Sequence, residues 1–162
     1  MKSTGEVMGM DKDFGLAYAK SQISSGNSLP TKGLAFISLK DKHKNEGIDL
    51  AKKLVELNFT LCGTEGTANV IRNSGIKCKK INKVSGGSPH IVDVLNAKKI
   101  ALVINTGGGK RAYRILDSTS LRRATLINKV PYCTNMSTAL ACIEGIKALK
   151  SKKMRITPIQ NI

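Results

Sequence analysis

Short apolar runs alternate along this chain with longer stretches whose apolar residues recur at helical spacing. Gly33 to Leu39 is apolar through its middle, Leu34 to Ile37, as expected of a parallel strand covered on both faces. Asn45 to Leu57 follows with Ile48, Leu50, Ala51, Leu54, Val55 and Leu57 forming a wide helical stripe. The alternation then repeats. It predicts a strand at Phe59 to Cys62, a helix at Ala68 to Asn73 ended by Ser74-Gly75, and a more exposed strand at Ile76 to Ile81. A helix is predicted from Pro89 to Ala97, with Pro89 as its start, and the most apolar strand from Ile100 to Ile104. Asp117 to Lys129 reads as a helix capped by Asp117 or Ser118, Val130 to Thr134 as a short fifth strand, and Ser137 to Leu149 as a final helix. Strands and helices in this order predict an α/β fold: three layers, α/β/α, around a five-stranded parallel sheet with helices on both faces.

The start of the chain breaks this rhythm. Ser3 to Gly9 (STGEVMG) fits no core pattern, and Asp11 to Ser24 carries Phe14, Leu16, Ala17, Ala19 and Ile23 at helical spacing, with Asp11 or Asp13 as cap. Ser24 to Pro30 reads as a linker by composition. Residues 1–28 are therefore expected to be a leading segment with a linking helix, and residues 29–162 the main domain.

In an open parallel sheet, ligands sit at the carboxyl ends of the strands. Three predicted strands end in polar or glycine-rich turns. Ser38, and just beyond it Lys44, follow the first; Thr64, Gly66 and Thr67 follow the second; Asn105, Thr106 and the glycines Gly107 to Gly109 follow the fourth. The turn after the second strand, Gly63 to Thr67, opens a helix, so free backbone N–H groups and the positive end of a dipole face one spot. Such a spot suits an anion, most often a phosphate. Thr64 equally suits simple capping, its hydroxyl accepting the N–H of Thr67. Each glycine or lysine at these ends, Lys83 included, is singly consistent with a turn or a solvated surface; together they make a phosphate rim. Glu65 within the turn would oppose an anion unless it points away or pairs with a lysine. No nucleophile–base constellation is visible by spacing.

Composition narrows the classes. With 162 residues, 41% hydrophobic, the chain can bury a core, and with 4% aromatics and no Trp that core must be aliphatic. No apolar run is long enough for a bilayer and no secretory signal is visible, so the cytosol is expected and no membrane partner. The four cysteines, Cys62, Cys78, Cys133 and Cys142, lie in or beside apolar segments and are expected to be reduced and buried. His43 and His90 have no ligand-spaced neighbours, so no metal is expected. The net charge of +16, from 27 basic and 11 acidic residues, suits either nucleic acid or phosphorylated small molecules. Few aromatics and no nucleic-acid signature leave no specific nucleic-acid partner expected.

Several motifs occur together in one order: STGEVMG at Ser3 to Gly9, GTEGTA at Gly63 to Ala68, INKV at Ile81 to Val84, PHIVD at Pro89 to Asp93, INT at Ile104 to Thr106 and LRRATL at Leu121 to Leu126. In that order they resemble the methylglyoxal synthase-like domain at the C-terminus of the carbamoyl-phosphate synthase large chain, over nearly the whole chain. STGEVMG resembles the end of the ATP-grasp domain that precedes it there. The resemblance implies a methylglyoxal synthase-like fold and a regulatory domain that does no chemistry itself. It implies binding of UMP, and in some members IMP or ornithine, to modulate ATP-dependent carbamoyl phosphate synthesis in pyrimidine and arginine biosynthesis. It implies no cofactor in this piece; ATP with Mg or Mn would belong to the missing parent domains. Its implied partners are the remainder of the large chain and, through it, a small glutaminase subunit. By position, Thr64, Thr67 and Lys83 would hold a phosphate beside Gly66, Ser38 and Lys44 would flank it, and Asn105 and Thr106 would line the ribose or base side. Tyr132 and Thr134 would face a neighbouring domain or ornithine. Gly107 departs from the hydroxyl residue of many relatives. Methylglyoxal synthase itself has a catalytic Asp after paired glycines, whereas Gly86-Gly87 here precede Ser88, so phosphate-eliminating lyase activity is the alternative disfavoured.

Overall fold

The computed structural model describes residues 7–107 and 112–161. Ser3 to Glu6 of the leading motif, and Gly108, Gly109 and Lys110 of the glycine-rich loop, lie outside the described residues. In chain order the elements are α1 (Phe14–Ser24), β1 (Gly33–Ser38), α2 (Lys44–Glu56), β2 (Phe59–Gly63), α3 (Glu65–Asn73), β3 (Lys79–Lys80), α4 (Ile91–Asn96), β4 (Ile100–Asn105), α5 (Ala112–Ile127), β5 (Tyr132–Cys133) and α6 (Met136–Ser151). Three 3₁₀ turns, at Asp41–His43, Val84–Gly86 and Ile159–Asn161, complete the path.

The five strands form one parallel sheet in the order β3-β2-β1-β4-β5. The strand period of two sends alternate side chains to opposite faces. Ala35, Ile37, Leu61, Leu102 and Ile104 meet residues of α1, α2, α3 and α6 on one face. Phe36, Cys62 and Val103 meet Ile91 and Leu95 of α4 and Leu121 and Ala124 of α5 on the other. Consecutive crossovers of one hand explain this division. The chain moves outward from β1 through β2 to β3 with α2 and α3 on one face. It then returns past β1 to β4 and β5, which puts α4 and α5 on the opposite face. The order reverses between β1 and β4, and there the sheet opens.

Several element boundaries differ from the sequence expectation, each for a local reason. The third strand shrinks to Lys79–Lys80, because an edge strand has a single ladder neighbour and these two side chains are exposed. The fifth likewise shortens to Tyr132–Cys133 at the opposite edge. Helix α4 starts at Ile91 rather than Pro89. His90 is its N-cap: its side chain accepts the Asp93 N–H while the Asp93 carboxylate accepts the His90 N–H. Helix α5 begins at Ala112, not at Asp117, since no glycine or proline between residues 112 and 117 breaks it. Asp117 and Ser118 therefore sit inside a helix, past its start. The last helix is capped by Asn135, whose side chain accepts the Thr138 N–H at 2.8 Å.

Helix α1 is held by Asp13, its N-cap, which accepts the Leu16 N–H and pairs with Lys152 beyond α6. Its Gly15 faces α6 so closely that a Cβ there would lie 2.5 Å from the Glu144 carbonyl oxygen and 2.8 Å from Ala148 Cβ. All four cysteines are free and buried. Burial pushes the Cys62 thiol up to about 12 and Cys78 up to about 11, so both stay protonated near neutrality. Among the described residues no helix is long and apolar enough to cross a membrane.

The α1–α6 contact sets a stability test. Gly15→Ala should force the helices apart and cost about 1–3 kcal/mol, as overpacking does. Thermal melting reads this as a fall of roughly 2–4 °C per kcal/mol in a chain of this size. An unchanged Tm would show that α1 can shift on α6 without cost.

Candidate functional site

The carboxyl ends of β1, β2, β3 and β4 surround a cavity of about 750 Å³ at the place where strand order reverses. That volume lies within the range of small-molecule sites, and a reversal point is where open α/β sheets bind ligands. Ser38, Lys44, Thr64, Gly66, Thr67, Lys83 and Asn105, all expected at the rim, line this one cavity. Thr106, Tyr132 and Thr134 do not.

The polar end is built by the β2-to-α3 turn. Gly63 allows it: a Cβ there would lie 2.6 Å from the Ile37 carbonyl oxygen of β1. Without that side chain the Thr64 N–H reaches the same oxygen at 3.3 Å and the chain turns directly into α3. Thr64 takes the N-cap position, yet its side chain makes no capping hydrogen bond. This corrects the simple capping expectation. Its Oγ1 lies 3.3 Å from Thr67 Oγ1 and 3.5 Å from Ser38 Oγ. The hydroxyl is drawn into a cluster with its neighbours and does not cap the first turn of α3, whose residues Glu65, Gly66 and Thr67 line the cavity. Thr64 and Thr67 are 6% and 2% exposed, so the cluster is held inside the protein.

Lysines and carboxylates alternate around the mouth. Lys44 Nζ is 2.6 Å from Asp41 Oδ1 and would lie 3.2 Å from a Cβ on Gly66, so its ammonium hangs over the first turn of α3. Glu65 pairs with Lys80 at 2.7 Å, which resolves the alternatives its position left open. The Lys80 ammonium, by its hydrogen bond first and its charge second, holds the Glu65 carboxyl below the usual glutamate range. Lys40, Asn82, Asp117 and Ser118 also line the cavity and were not expected there. The signal for Lys80 was its place at the end of a strand. Asp117 and Ser118 had none, because α5 was expected to begin with them. Away from this end, Phe36, Ile81, Val84, Ile91 and Leu121 give the cavity an apolar wall.

The side chains of Asn105, Thr106 and Tyr132 hydrogen-bond within the protein. Asn105 is 6% exposed; its Nδ2 donates to Tyr132 Oη at 3.0 Å and its Oδ1 accepts the Gly107 N–H at 3.0 Å. The Arg122 guanidinium lies 5.9 Å from the Tyr132 ring centroid. Thr106 is buried, and its Oγ1 accepts the Lys40 N–H at 3.1 Å. Thr134 is exposed just before the Asn135 cap of α6. Ser88, where a lyase would need a carboxylate, donates its hydroxyl to Asp93 Oδ2 at 2.9 Å and so belongs to the α4 cap. The His90 N–H and then that hydroxyl keep the Asp93 carboxyl below the usual range.

Comparison with known proteins agrees with this geometry. The family model for the MGS-like domain matches residues 46–134. The chain is 45% identical over 160 residues to the carbamoyl phosphate synthase large chain of Mesorhizobium japonicum, covering 99% of this chain and 14% of that one. It is 44% identical over 163 residues to the carbamoyl phosphate synthase large chain, C-terminal section, of Methanopyrus kandleri, covering 100% of this chain and 30% of that one. The chain thus spans only about a seventh to a third of the length of these curated relatives. Among solved structures, methylglyoxal synthase from Elizabethkingia anophelis NUHP1 superposes with a TM-score of 0.54 at 16% identity, covering 80% of this chain and 88% of that one. That likeness speaks for the fold.

The Glu65–Lys80 pair gives a titration test with a definite sign. Lys80→Met should raise the Glu65 pKa back toward the ordinary glutamate value, read by carboxyl-carbon NMR against pH. A carboxyl depressed by folding contributes stability above its unfolded pKa and loses it as pH falls through the folded value. The wild-type chain should therefore lose this contribution only in the acid range below pH 4.5, the ordinary glutamate value, and Lys80→Met should not show it. A Glu65 titration unmoved by the substitution would show that the pair does not persist in solution.

Proposed function

The chain belongs to the MGS-like domain family, and from that premise we propose that it is a nucleotide-sensing regulatory domain. In this reading it forms part of a carbamoyl phosphate synthase large chain. It binds UMP, and in the same cavity IMP, and so modulates ATP-dependent carbamoyl phosphate synthesis carried out elsewhere in that chain. Ornithine is proposed at the Tyr132 and Thr134 side. The remainder of the large chain, and through it a glutaminase subunit, are the proposed macromolecular partners.

One observation carries the reading: Ser38 and Thr64 hydroxyls, the amino end of α3 and the Lys44 ammonium converge on a cavity that also has an apolar wall. A phosphate monoester fits that polarity. Its dianion faces N–H donors, hydroxyls and an ammonium, and for the ammonium it competes with Asp41. Lys83, also on the lining, adds a second ammonium. The ribose would face Asn105, and the base would lie against Ile81, Val84, Ile91 and Leu121. Each charge-assisted hydrogen bond nets about 1.5–3 kcal/mol. Three or four, less the cost of ordering the ligand, correspond to an affinity of about 8 kcal/mol, in the micromolar range.

The site holds its ligand without reacting it. Two carboxylates on its lining are tied to ammonium groups, Asp41 to Lys44 and Glu65 to Lys80. A general base works best with a pKa near the working pH, and the Glu65 carboxyl is pushed the other way.

Calorimetric titration tests the proposal. UMP should bind the chain with micromolar affinity, IMP should compete, and Lys44→Ala or Thr64→Val should each weaken binding about ten- to hundredfold. Dihydroxyacetone phosphate should yield no methylglyoxal. Absence of heat and of any thermal shift with both nucleotides at millimolar concentration refutes the binding role, and methylglyoxal formation would favour the lyase instead.

A further inference from the structure

Thr106 was placed by resemblance on the ribose or base side, but its side chain is turned elsewhere. The residue is 3% exposed and outside the cavity lining. Its Oγ1 accepts the Lys40 N–H at 3.1 Å, and its own N–H donates to the Ser38 carbonyl at 3.0 Å. This two-way pair of bonds ties the end of β4 to the exit of β1. On the other side of that exit, Thr67 Oγ1 accepts the Leu39 N–H at 3.0 Å. Two consecutive N–H groups that have run out of ladder are thus taken by hydroxyls of Thr67, in the first turn of α3, and Thr106, just after β4.

What leaves β1 at that clamp is the arm that carries Lys44. Lys40 is the N-cap of the 3₁₀ turn Asp41–His43, and its carbonyl accepts the His43 N–H at 2.9 Å. The Lys44 N–H then bonds back to the Asp41 carbonyl, and α2 begins. The Lys40 peptide is therefore the base on which the turn stands. At the far end of that turn the Lys44 ammonium lies beside Gly66 and the amino end of α3.

We infer that Thr106 is a positioning residue: by holding the Lys40 N–H it aims Lys44 at the phosphate pole of the cavity. This rests on reading that cavity as a phosphate site. A group acting this way reaches the ligand only through Lys44, which separates it from a group that touches the ligand or one that merely stabilises the sheet. A ligand contact at Thr106 would act whether or not Lys44 were present. A purely structural role would lower the melting temperature without favouring one rim residue.

The test is a double-mutant cycle on the 162-residue chain with UMP as probe. Thr106→Val keeps shape and removes the acceptor; Thr106→Ser keeps the acceptor; Thr106→Ala replaces valine should valine impair folding. Valine at 106 should weaken UMP binding about three- to tenfold, the effect of one hydrogen bond. Serine should restore it. In a Lys44→Ala background the valine substitution should change affinity by less than about twofold. A full effect of Thr106→Val in that background, or none in wild type, overturns the inference. Hydrogen exchange without ligand is the second arm. The amides of residues 40–44 should exchange faster with valine and not with serine, while those of α4 stay unchanged. If wild type binds no UMP, the binding reading has failed, and this arm alone decides whether Thr106 sets the turn. Unchanged exchange at residues 40–44 overturns it.

Discussion

A strand that ends in the middle of a sheet leaves backbone donors with no ladder partner, and a buried N–H left unpaired costs about 1–3 kcal/mol. That constraint governs this molecule at the exit of β1, which lies between β2 and β4. A longer ladder would satisfy the Leu39 and Lys40 N–H groups but would keep the three strands together and close the crevice. Threonine hydroxyls satisfy them instead, one from each side. Side chains thus replace the ladder where it stops, and the strand ends can part. The same substitution recurs one residue earlier on β4, where the Asn105 amide takes the Gly107 N–H and gives its own to Tyr132. The cavity exists because polar side chains finish the hydrogen bonding that the sheet gives up.

This explains what could be read in advance. The strands β1, β2 and β4 are buried on both faces, so their apolar runs stand out in the sequence and predict a covered parallel sheet. The edge strands β3 and β5 hold two residues each and leave hardly a pattern; their flanks were read as longer strands. The start of α5 was missed because Asp117-Ser118 imitates a cap, and with it went Asp117 and Leu121 as parts of the lining. The turn at Gly63 to Thr67 was legible because glycine and threonine there have a local reason. The bond from Lys40 to Thr106 joins residues 66 apart, and that from Asn105 to Tyr132 residues 27 apart. Nothing in residue type reveals such partners, since Asn and Thr at strand ends suit ligand contact and scaffolding equally. Placing Asn105 and Thr106 at the rim was a matter of position; what each does there depends on contacts that only the fold creates.

The large positive charge is a weaker guide to the site than it first seemed. A net charge of +16 sets a field over the whole surface, which favours any anion approaching from afar. Within the cavity the balance is closer: Asp41, Glu65 and Asp117 share the lining with Lys40, Lys44, Lys80 and Lys83. Two of these lysines are engaged by carboxylates at 2.6 and 2.7 Å. Exposed pairs of this kind contribute little to stability, about 0–1 kcal/mol. Their effect on a ligand is larger than on the fold, because an entering anion competes with Asp41 and Glu65 for the same ammonium groups. The first-turn N–H donors of α3 are fixed in direction by the helix, and Glu65 in that same turn, held by Lys80, offsets part of their positive end.

For the proposed ligand, preference for a phosphate monoester over a bare carboxylate would rest on geometry more than on charge. A carboxylate offers two oxygens in one plane, enough for only some of the donors that line this cavity. A phosphate offers three terminal oxygens arranged around an axis, enough to meet backbone N–H groups, hydroxyls and an ammonium from three directions at once. The exits of β1 and β2 present these donors, Ser38 and Lys44 from the first and Thr64 with the first turn of α3 from the second, while Asn105 after β4 lines the same cavity. Only the point where the strand order reverses brings such exits together around a gap. The proposed ligand and the topology are thus linked by the number of directions from which an anion must be held.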